Sequence, residues 1–302
     1  MKKTRPLSDN ERAYGLFEKF YPPVIQFVLQ YPSRIKGEQL SIAIGVLRKQ
    51  VKELRLQIRE SYFYEEDYPL TIEIINSPKF TGYNWEELDC WKRDILSVKP
   101  MEVVLIHGKI DDFLFFRVHH SLMDGVGLLQ FVKAVFNHIN GKPVVLPNCF
   151  PSDQDFVKKF IRKRKKISFW FNQKLRLNGN KLGHFTCRRM YLQNVSHGLL
   201  YKICCVLKEC YSNSLVRFCI PSSVRFLQPN LCSWGNLTLP LYIDVTKQEI
   251  WSDVYKKLFQ CHTEFQMCSK QNIRYLFLHL PTWFVIKTLK LLQHFQQKWG
   301  RF

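Results

Sequence analysis

Residues 117–125 read Arg117-Val118-His119-His120-Ser121-Leu122-Met123-Asp124-Gly125, which is the pattern H-H-x-x-x-D-G. Two adjacent side chains at the end of a strand point to opposite faces, so one histidine can face a solvent channel while the other packs inside. A neutral imidazole, with an ordinary pKa of about 6.5, can accept a proton near neutral pH. The stretch therefore predicts a histidine that is available to act as a general base.

The sequence around this motif predicts a β-hairpin before it and a helix after it. Residues 102–107 and 113–118 are rich in β-branched and aromatic residues, and the residues between them have the composition of a turn. The apolar residues of 126–139 recur with helical spacing, and Asn140-Gly141 ends that pattern. The motif is thus expected at a junction between a strand and a helix.

Asp124 and Gly125 are predicted to shape the loop after the histidines. Asp124 can anchor the loop by pairing with an arginine elsewhere in the chain, and Gly125 allows backbone angles that a side chain forbids. Two other interpretations of the pattern remain open. His-His-Asp could bind a metal, although no second ligand group is marked, or the histidine pair could be purely structural. Asp111 and Asp112 are expected to be turn residues and not a metal-binding pair.

The rest of the chain predicts a mixed α/β protein. Ser8 and Glu11 have the spacing of a capping box at the start of a helix. Residues 38–59 carry an apolar stripe and are expected to form one amphipathic helix. Further strands are predicted at residues 70–75, 215–220 and 237–245, and further helices at residues 85–92, 199–210, 251–268 and 283–299.

The length of 302 residues allows either two domains or one large two-lobed unit. Residues 142–155 contain Pro143, Pro147 and Pro151 and are the expected connection between the two parts. The sequence thus predicts an N-terminal part, residues 1–150, which carries the histidine motif, and a C-terminal part, residues 151–302.

The net charge of +20 is concentrated in the second half of the chain. Residues 1–125 carry 18 basic and 18 acidic residues, whereas residues 126–302 carry 27 basic and 7 acidic ones. A field of this sign favours nucleic acid, an anionic membrane surface, a phosphorylated cofactor or an acidic protein partner. Nucleic acid is the least favoured of these, because no recognised nucleic-acid-binding motif accompanies the charge.

The cysteines and the N-terminus indicate the cellular setting. The ten cysteines form no C-x-x-C pair and no array with zinc-binding spacing, which predicts neither a zinc site nor a redox pair. The basic N-terminus is not followed by the apolar segment of a secretory signal, and no uninterrupted apolar run reaches the length of about 18 residues that a spanning helix needs. We expect a cytoplasmic protein.

The motif and its context resemble an acyltransferase superfamily. Its members include chloramphenicol acetyltransferase, the condensation domains of nonribosomal peptide synthetases, plant alcohol acyltransferases, bacterial wax-ester synthases and polyketide-associated acyltransferases. Four other segments are similar to the family and occur in the family's order: residues 6–8, residues 40–55 ending in a Leu-Arg pair, residues 220–225 ending in Arg225, and residues 234–241 with a Gly-Asn pair.

The resemblance implies an α/β fold of the chloramphenicol acetyltransferase type, with two lobes and a central tunnel. A thioester donor, either acyl-coenzyme A or an acyl carrier protein, would enter from one side and a hydroxyl or amine acceptor from the other. No metal and no permanently bound cofactor are implied. The oxyanion formed during acyl transfer needs hydrogen-bond donors, for which Ser121 and Asn236 are candidates.

The resemblance also implies roles for the motif residues. Carried over by position, His120 is the general base and His119 is its inward neighbour. Asp124 is structural and is held by an arginine, for which Arg225 is the candidate. Family members continue beyond the helix that residues 283–299 resemble, so we expect the second lobe to be incomplete or to be completed by a partner.

Residues 156–192 hold twelve basic residues and no acidic one, with aromatic residues interleaved. A solvated basic helix face is one interpretation. Residues 156–176 could instead form a peripheral membrane contact, which suits a lipid-like acceptor. They could also dock an acidic carrier protein or the phosphates of coenzyme A, and a nuclear address is a further possibility.

Two function classes therefore stand. One is an acyltransferase with His120 as base, and the other is a catalytically inactive condensation-domain-like protein that binds membranes or proteins.

Overall fold

The fold is given by a computed structural model, which describes residues 2–18, 23–66, 72–82, 98–160, 215–246 and 252–257, together with positions 70, 88, 95, 202, 249, 284, 287, 288 and 291. The chain divides into two compact units. The first consists of Met1–Phe160 and Ser223–Thr238, and the second of Ile161–Ser222 and Leu239–Phe302. Compared with the predicted division after residue 150, the first unit extends to Phe160 and takes in a separate segment from far along the chain.

The secondary structure of the first part of the chain alternates strands and helices. In order these elements are β1 (Lys2–Pro6), α1 (Asp9–Phe17), β2 (Val24–Tyr31), α2 (Gly37–Gln50), a 3-10 turn (Lys52–Arg55), β3 (Leu56–Arg59), β4 (Tyr62–Glu65), β5 (Ile72–Asn76), β6 (Met101–His107), β7 (Asp112–His119), α3 (Gly125–Ile139) and α4 (Asp153–Phe160). Later, β8 (Leu215–Ser223) and β9 (Thr238–Thr246) pair in a two-stranded sheet, with a 3-10 turn (Arg225–Leu227) between them.

The central sheet of the first unit has the strand order β2-β7-β6-β5. β6 and β7 form the antiparallel hairpin that the sequence predicts, with Leu105 opposite Leu114. β2 is antiparallel to β7, and β5 is parallel to β6. All eight residues of β7 are buried, as expected for a central strand that is covered on both faces. β7 therefore delivers its last residue, His119, from the middle of the sheet.

The side chains of β7 alternate between two apolar clusters. Leu114, Phe116 and Val118 join the larger cluster, together with buried residues of α2 and α3. Phe113 and Phe115 join the smaller cluster on the other face. The hairpin and α3 are thus fixed by the same core, which makes the turn between them a rigid place for functional side chains.

The prediction of one helix over residues 38–59 is wrong in its C-terminal part. After α2 the chain makes a 3-10 turn and continues as β3, which is antiparallel to β4. The Nη1 atom of Arg55 donates to the carbonyl oxygens of Arg48, at 2.8 Å, and Lys49, at 2.9 Å. This side chain satisfies carbonyl groups that the end of α2 leaves without helical partners. The apolar residues after α2 therefore belong to a strand and not to an extension of the helix.

The turn of the hairpin differs from its prediction at one aspartate. Asp111 lies in the turn, but Asp112 begins β7 and its carboxylate is fully buried. The Asp112 carboxylate accepts hydrogen bonds from Arg34 Nη1 at 2.7 Å, Ile35 N at 2.6 Å and His107 Nδ1 at 2.9 Å. Burial raises the pKa of Asp112, but the three hydrogen bonds outweigh burial and leave this pKa below its ordinary value. Asp112 thus anchors the end of β7 opposite the histidine pair.

Several other predicted elements agree with the structure. The capping box at α1 is confirmed, because Ser8 Oγ accepts from Glu11 N and the Glu11 carboxylate accepts from Ser8 N. The strands predicted at 70–75, 215–220 and 237–245 correspond to β5, β8 and β9, and residues 252–257 are helical. The helices predicted at 85–92, 199–210 and 283–299 and most of the basic segment 156–192 lie outside the described residues, apart from isolated positions. Among the helices that are described, none has the length and apolar character needed to cross a bilayer.

Candidate active site

The backbone of the histidine pair is fixed from two sides. The N–H of His119 donates to the carbonyl oxygen of Pro100 at 2.8 Å, and the N–H of His120 donates to that of Pro23 at 2.7 Å. Directly after them, the N–H of Leu122 donates back to the carbonyl oxygen of His119 at 2.9 Å and closes a turn. The chain therefore leaves β7 along a defined path, and the two imidazoles start from fixed backbone positions.

His119 is the inward histidine and is fully buried. Its Nδ1 accepts a hydrogen bond from the backbone N–H of Ser121 at 3.2 Å. The proton of the neutral ring is therefore on Nε2. That atom is buried and makes no hydrogen bond among the described residues, but it lies 3.5 Å from the carboxylate oxygen Oε2 of Glu18. Both ring nitrogens of His119 thus face groups of the protein.

His120 is surrounded differently. Its ring stacks on the ring of Tyr14, with 4.0 Å between centroids and 8° between planes. Its Nδ1 is buried and makes no hydrogen bond among the described residues. The residue as a whole stays partly exposed. His120 is thus less deeply buried than His119.

Burial is the largest influence on the pKa of His120 and lowers it. The backbone carbonyl of His120 and the charge of Asp124 act in the opposite direction, and His119 adds a small lowering contribution. The net result is a pKa below the ordinary value of a histidine. The ring is therefore neutral at neutral pH, which is the state in which it can take up a proton.

Asp124 is the N-cap of α3, and all of its hydrogen bonds serve the fold. Its Oδ1 accepts from Gly127 N at 2.8 Å. Its Oδ2 accepts from Arg225 Nη1 at 2.7 Å, Leu237 N at 2.8 Å and Thr238 Oγ1 at 2.9 Å. Four donors contact this carboxylate, one of them the Arg225 guanidinium, so its contacts tie three parts of the chain together. The residue is a structural anchor.

Arg225 joins the motif to a distant part of the sequence. Besides Asp124, its guanidinium donates to Ser233 O at 3.1 Å and Gly235 O at 2.6 Å, and Nη1 also reaches Ser223 Oγ at 3.1 Å. The Arg225 and Asp124 side chains are almost fully buried, at 9% and 1% exposure. The sequence candidate for the arginine partner therefore lies directly against Asp124.

The position that requires a glycine is Gly127 and not Gly125. The expectation that Gly125 provides backbone angles forbidden to other residues is therefore wrong. Gly125 is exposed, its φ is not in the left-handed region, and a Cβ placed there would meet nothing within 4 Å. A Cβ on Gly127 would lie 2.0 Å from the carbonyl oxygen of Trp234. The close approach between α3 and the segment around Trp234 is therefore what excludes a side chain.

Ser121 does not fit the role of oxyanion donor. Its side chain is fully buried, and Oγ donates to the carbonyl oxygen of Glu11 at 2.6 Å. The only hydroxyl proton is already used, so this expectation is corrected. Asn236 donates from Nδ2 to the carbonyl oxygen of His120 at 2.8 Å. It supports the backbone of the histidine, and one proton of its amide group is engaged in that contact.

The structure bears on the two alternative interpretations of the motif, a metal site and a structural histidine pair. Within the described parts of the chain, no group of three or more His, Cys, Asp and Glu side chains is arranged to hold a metal ion. Both oxygens of Asp124, the acidic member of His-His-Asp, accept hydrogen bonds from N–H and O–H donors. A purely structural role fits His119, whose ring nitrogens both face protein groups, but it does not account for the partial exposure of His120.

The sequence analysis did not identify three side chains at this site: Tyr14, Glu18 and Thr238. Tyr14 and Glu18 are four residues apart on and after α1, so they face the same side, but their partners are far along the chain. Thr238 carries the first hydroxyl group after the Gly-Asn pair. Its position after that pair is the one sequence feature that could have indicated a contact to Asp124.

Comparison with known proteins identifies the fold. No protein-family model matches the chain, and no curated protein sequence matches it. The chain is similar to the starter condensation domain of rhizomide synthetase RzmA, with a TM-score of 0.58, 14% sequence identity and coverage of 93% of this chain and 78% of that chain. A mutant of that domain in complex with C8-CoA gives a TM-score of 0.60 at 12% identity, with coverage of 93% and 75%.

A second synthetase gives the same result. The first condensation domain of the calcium-dependent antibiotic synthetase, in complex with a substrate analogue, matches with a TM-score of 0.60 at 13% identity, covering 88% of this chain and 76% of that chain. The chain therefore has the mixed α/β fold of the condensation domains of nonribosomal peptide synthetases. The resemblance inferred from the histidine motif is confirmed at the level of the fold.

Proposed function

We propose that this chain is an acyltransferase that moves an acyl group from a thioester to a hydroxyl or amine acceptor, with His120 as general base. The observation that carries the proposal is the contrast within the motif. His119, Ser121 and Asp124 are engaged by the protein, whereas His120 is neutral at neutral pH and stays partly exposed. A rigid strand end and a helix N-cap hold that imidazole in place, which suits a catalytic group.

In the proposed reaction, Nε2 of His120 takes the proton from the acceptor O–H or N–H as the acceptor atom attacks the thioester carbonyl carbon. The tetrahedral intermediate then collapses, the C–S bond breaks, and the leaving thiolate receives the proton from the His120 imidazolium. The imidazole is neutral again at the end of the cycle, so no cofactor is consumed. A base in this role contributes roughly 10²- to 10⁴-fold in rate.

We propose acyl-coenzyme A or an acyl carrier protein thioester as the donor. The RzmA starter domain is similar in fold and has been captured with C8-CoA, which makes C8-CoA the first donor to test here. The excess of positive charge in residues 126–302 would attract the phosphates of coenzyme A or an acidic carrier protein. The same charge supports a peripheral membrane contact through residues 156–176 of a cytoplasmic protein, which would suit a lipid-like acceptor.

The test compares thioester consumption by the wild type, His120→Ala and His138→Ala, with C8-CoA and a panel of alcohols and amines. The readout is release of free thiol that depends on the acceptor. We expect His120→Ala to lose about 10²-fold or more in rate, which corresponds to about 2.7 kcal/mol of barrier. His138 lies near the end of α3, away from the motif, so His138→Ala is the matched control and should keep the wild-type rate. Equal turnover by the wild type and His120→Ala would remove His120 from the mechanism.

A catalytically inactive binding module is the second candidate function, and the charge distribution favours it. Residues 126–302 carry 27 basic and 7 acidic residues, a balance that attracts anionic surfaces whether or not the site is active. No thioester turnover by a folded wild type, together with binding to vesicles that contain anionic lipid and not to neutral ones, would support this function in place of the acyltransferase.

A further inference from the structure

Three consecutive residues of the histidine motif rest on one helix. Tyr14 stacks on His120, Glu18 lies beside Nε2 of His119, and the backbone carbonyl of Glu11 accepts the hydroxyl proton of Ser121. Positions 11, 14 and 18 are separated by three and four residues, so they lie on one face of α1 and the C-cap that follows it. This face runs along the motif from Ser121 back to His119.

The N-terminal half of α1 is itself firmly held. The carboxylate of Glu11 is fully buried and accepts from Arg5 Nη1 at 2.8 Å and Nη2 at 2.7 Å. The same carboxylate closes the capping box with Ser8 N. Because a charged, buried pair and a cap fix the start of the helix, Tyr14 is presented to His120 from a stable support.

The contact between Tyr14 and His120 is a stack rather than a hydrogen bond. Ring centroids 4.0 Å apart and planes within 8° of each other leave little room for the imidazole to rotate about its Cβ–Cγ bond. A carboxylate that accepts a proton from the ring is a common way to orient a catalytic histidine. No such carboxylate meets Nδ1 of His120 among the described residues, and Nδ1 is buried. Among the described residues, the stack is therefore the side-chain contact that constrains the plane of this ring.

We infer that Tyr14 is a positioning residue that sets the plane of the His120 imidazole and so aims Nε2 at the acceptor proton. The inference rests on the proposed role of His120 as general base. The stack uses the ring face of Tyr14, so this contact needs the aromatic ring and not the hydroxyl group. A misplacement of about 1 Å can cost roughly 10²-fold in rate, and the effect should appear in kcat, because Tyr14 approaches the base and not the substrate.

The experiment uses Tyr14→Phe, which keeps the ring face, and Tyr14→Leu and Tyr14→Met, which remove it but keep an apolar side chain. Tyr31→Leu is the matched control, since Tyr31 is an exposed tyrosine at the far end of β2 from the motif. Circular dichroism first establishes that each variant is folded. If Tyr14→Leu does not fold, the longer and more adaptable methionine serves as the second variant.

Two readouts distinguish a failure of this inference from a failure of the proposed function. The first is the proton NMR signal of the His120 ring, assigned by its loss in His120→Gln. Stacking shifts it upfield through the ring current of Tyr14, and the shift should persist in Tyr14→Phe and disappear in Tyr14→Leu or Tyr14→Met. This readout does not need an active enzyme.

The second readout is kcat and KM for acceptor-dependent thiol release. We expect kcat to fall by about 10- to 100-fold in Tyr14→Leu with KM little changed, to stay near the wild-type value in Tyr14→Phe, and to be unaffected in Tyr31→Leu. An unchanged kcat in Tyr14→Leu, or an equal loss in Tyr14→Phe and Tyr14→Leu, would overturn the inference. So would a His120 signal that is the same in the wild type and in Tyr14→Leu.

Discussion

The two histidines of the motif are adjacent in sequence but have different partners. His119 receives a backbone N–H on Nδ1 and faces Glu18 with Nε2. His120 is held by the stack on Tyr14 and, through its carbonyl oxygen, by Asn236. The position at the end of a central strand explains this division, since one side chain turns into the protein and the next one turns out. This difference in surroundings is why the proposed general base is His120 and not His119.

The two glycines at the start of α3 allow a prediction at the scale of single residues. A Cβ on Gly127 would lie 2.0 Å from a backbone oxygen of Trp234, whereas a Cβ on Gly125 would meet no neighbour. The Trp234 backbone lies in a segment held by Arg225, so it cannot move aside at low cost. We expect Gly127→Ala to lower the free energy of unfolding by about 3 kcal/mol or more. Gly125→Ala should leave it unchanged or raise it by up to about 1 kcal/mol, because alanine favours a helix.

Urea denaturation followed by circular dichroism measures both glycine variants under the same conditions. Gly125→Ala is the control for Gly127→Ala, because both variants add the same methyl group to the first turn of the same helix. Equal losses of stability in the two variants would contradict the assignment of the close approach to Gly127.

Some of these residue contacts could be predicted from the sequence and others could not. The resemblance to the acyltransferase superfamily implied Arg225 as the partner of Asp124, and these side chains are in contact. The stack of Tyr14 on His120 involves segments that share no local pattern, so only the folded chain shows it. Ser121 was misjudged because the direction of its hydroxyl group depends on where α1 packs.

At the scale of elements, the hairpin and α3 follow their sequence patterns closely. The hairpin strands are rich in β-branched and aromatic residues with a turn composition between them, and α3 has helical spacing that an Asn-Gly pair ends. The region after α2 has no such marker, and its few apolar residues fit both a helix and a strand. β2 was not predicted at all, since its pairing with β7 is fixed by tertiary structure rather than by a local signal.

The 3-10 turn between α2 and β3 holds a carboxyl group that titrates unusually. Glu53 is 3% exposed, and its Oε1 finds no hydrogen-bond partner among the described residues. Burial raises the pKa of Glu53 to about 7, although its own backbone and the charges of Lys52, Arg5 and Arg55 oppose this. The folded protein therefore keeps this group protonated at a pH at which the unfolded chain has already ionised it.

This pKa predicts how stability depends on pH. An unfolded glutamate ionises near pH 4.3, so between about pH 4.3 and pH 7 the unfolded chain gives up a proton that the folded chain retains. The free energy of unfolding should fall as the pH rises through this window, by about 3 kcal/mol in total from this group. Glu53→Gln removes that contribution, so its stability should exceed that of the wild type at pH 8 and differ less from it at pH 4.5.

Urea denaturation at pH 4.5, 6 and 8 and constant ionic strength tests the Glu53 prediction. Glu60→Gln is the control, because Glu60 is exposed and should not change the pH dependence. Parallel pH profiles for the wild type and Glu53→Gln would show that Glu53 is not the group responsible.

At the scale of the whole molecule, the chain leaves its first unit after Phe160 and returns to it for the segment Ser223–Thr238. Asp124 contacts this returning segment at both ends, through Arg225 on one side and through Leu237 and Thr238 on the other. A single buried carboxylate therefore joins three parts of the sequence and completes the unit that carries the histidines. The proline-rich stretch marked a boundary in the sequence, but no local pattern could show that a later segment returns across it.

The last prediction concerns this junction. Asp124→Asn keeps the size of the side chain but replaces one oxygen by an amide nitrogen and removes the charge opposite the buried Arg225 guanidinium. An uncompensated buried charge costs about 3–5 kcal/mol, so Asp124→Asn should lose about that much free energy of unfolding. Hydrogen exchange at the N–H of Leu237, which donates to Asp124, should accelerate as well.

The matched control for Asp124→Asn is Glu66→Gln, which breaks the exposed pair between Glu66 and Arg59. Surface pairs of this kind contribute at most about 1 kcal/mol, so the control should stay close to the wild type. A loss that is equally small in both variants would mean that Arg225 finds other partners, for example the carbonyl oxygens of Ser233 and Gly235 that it already reaches. In that case the guanidinium, and not the carboxylate, would be the group that closes the first unit around its histidines.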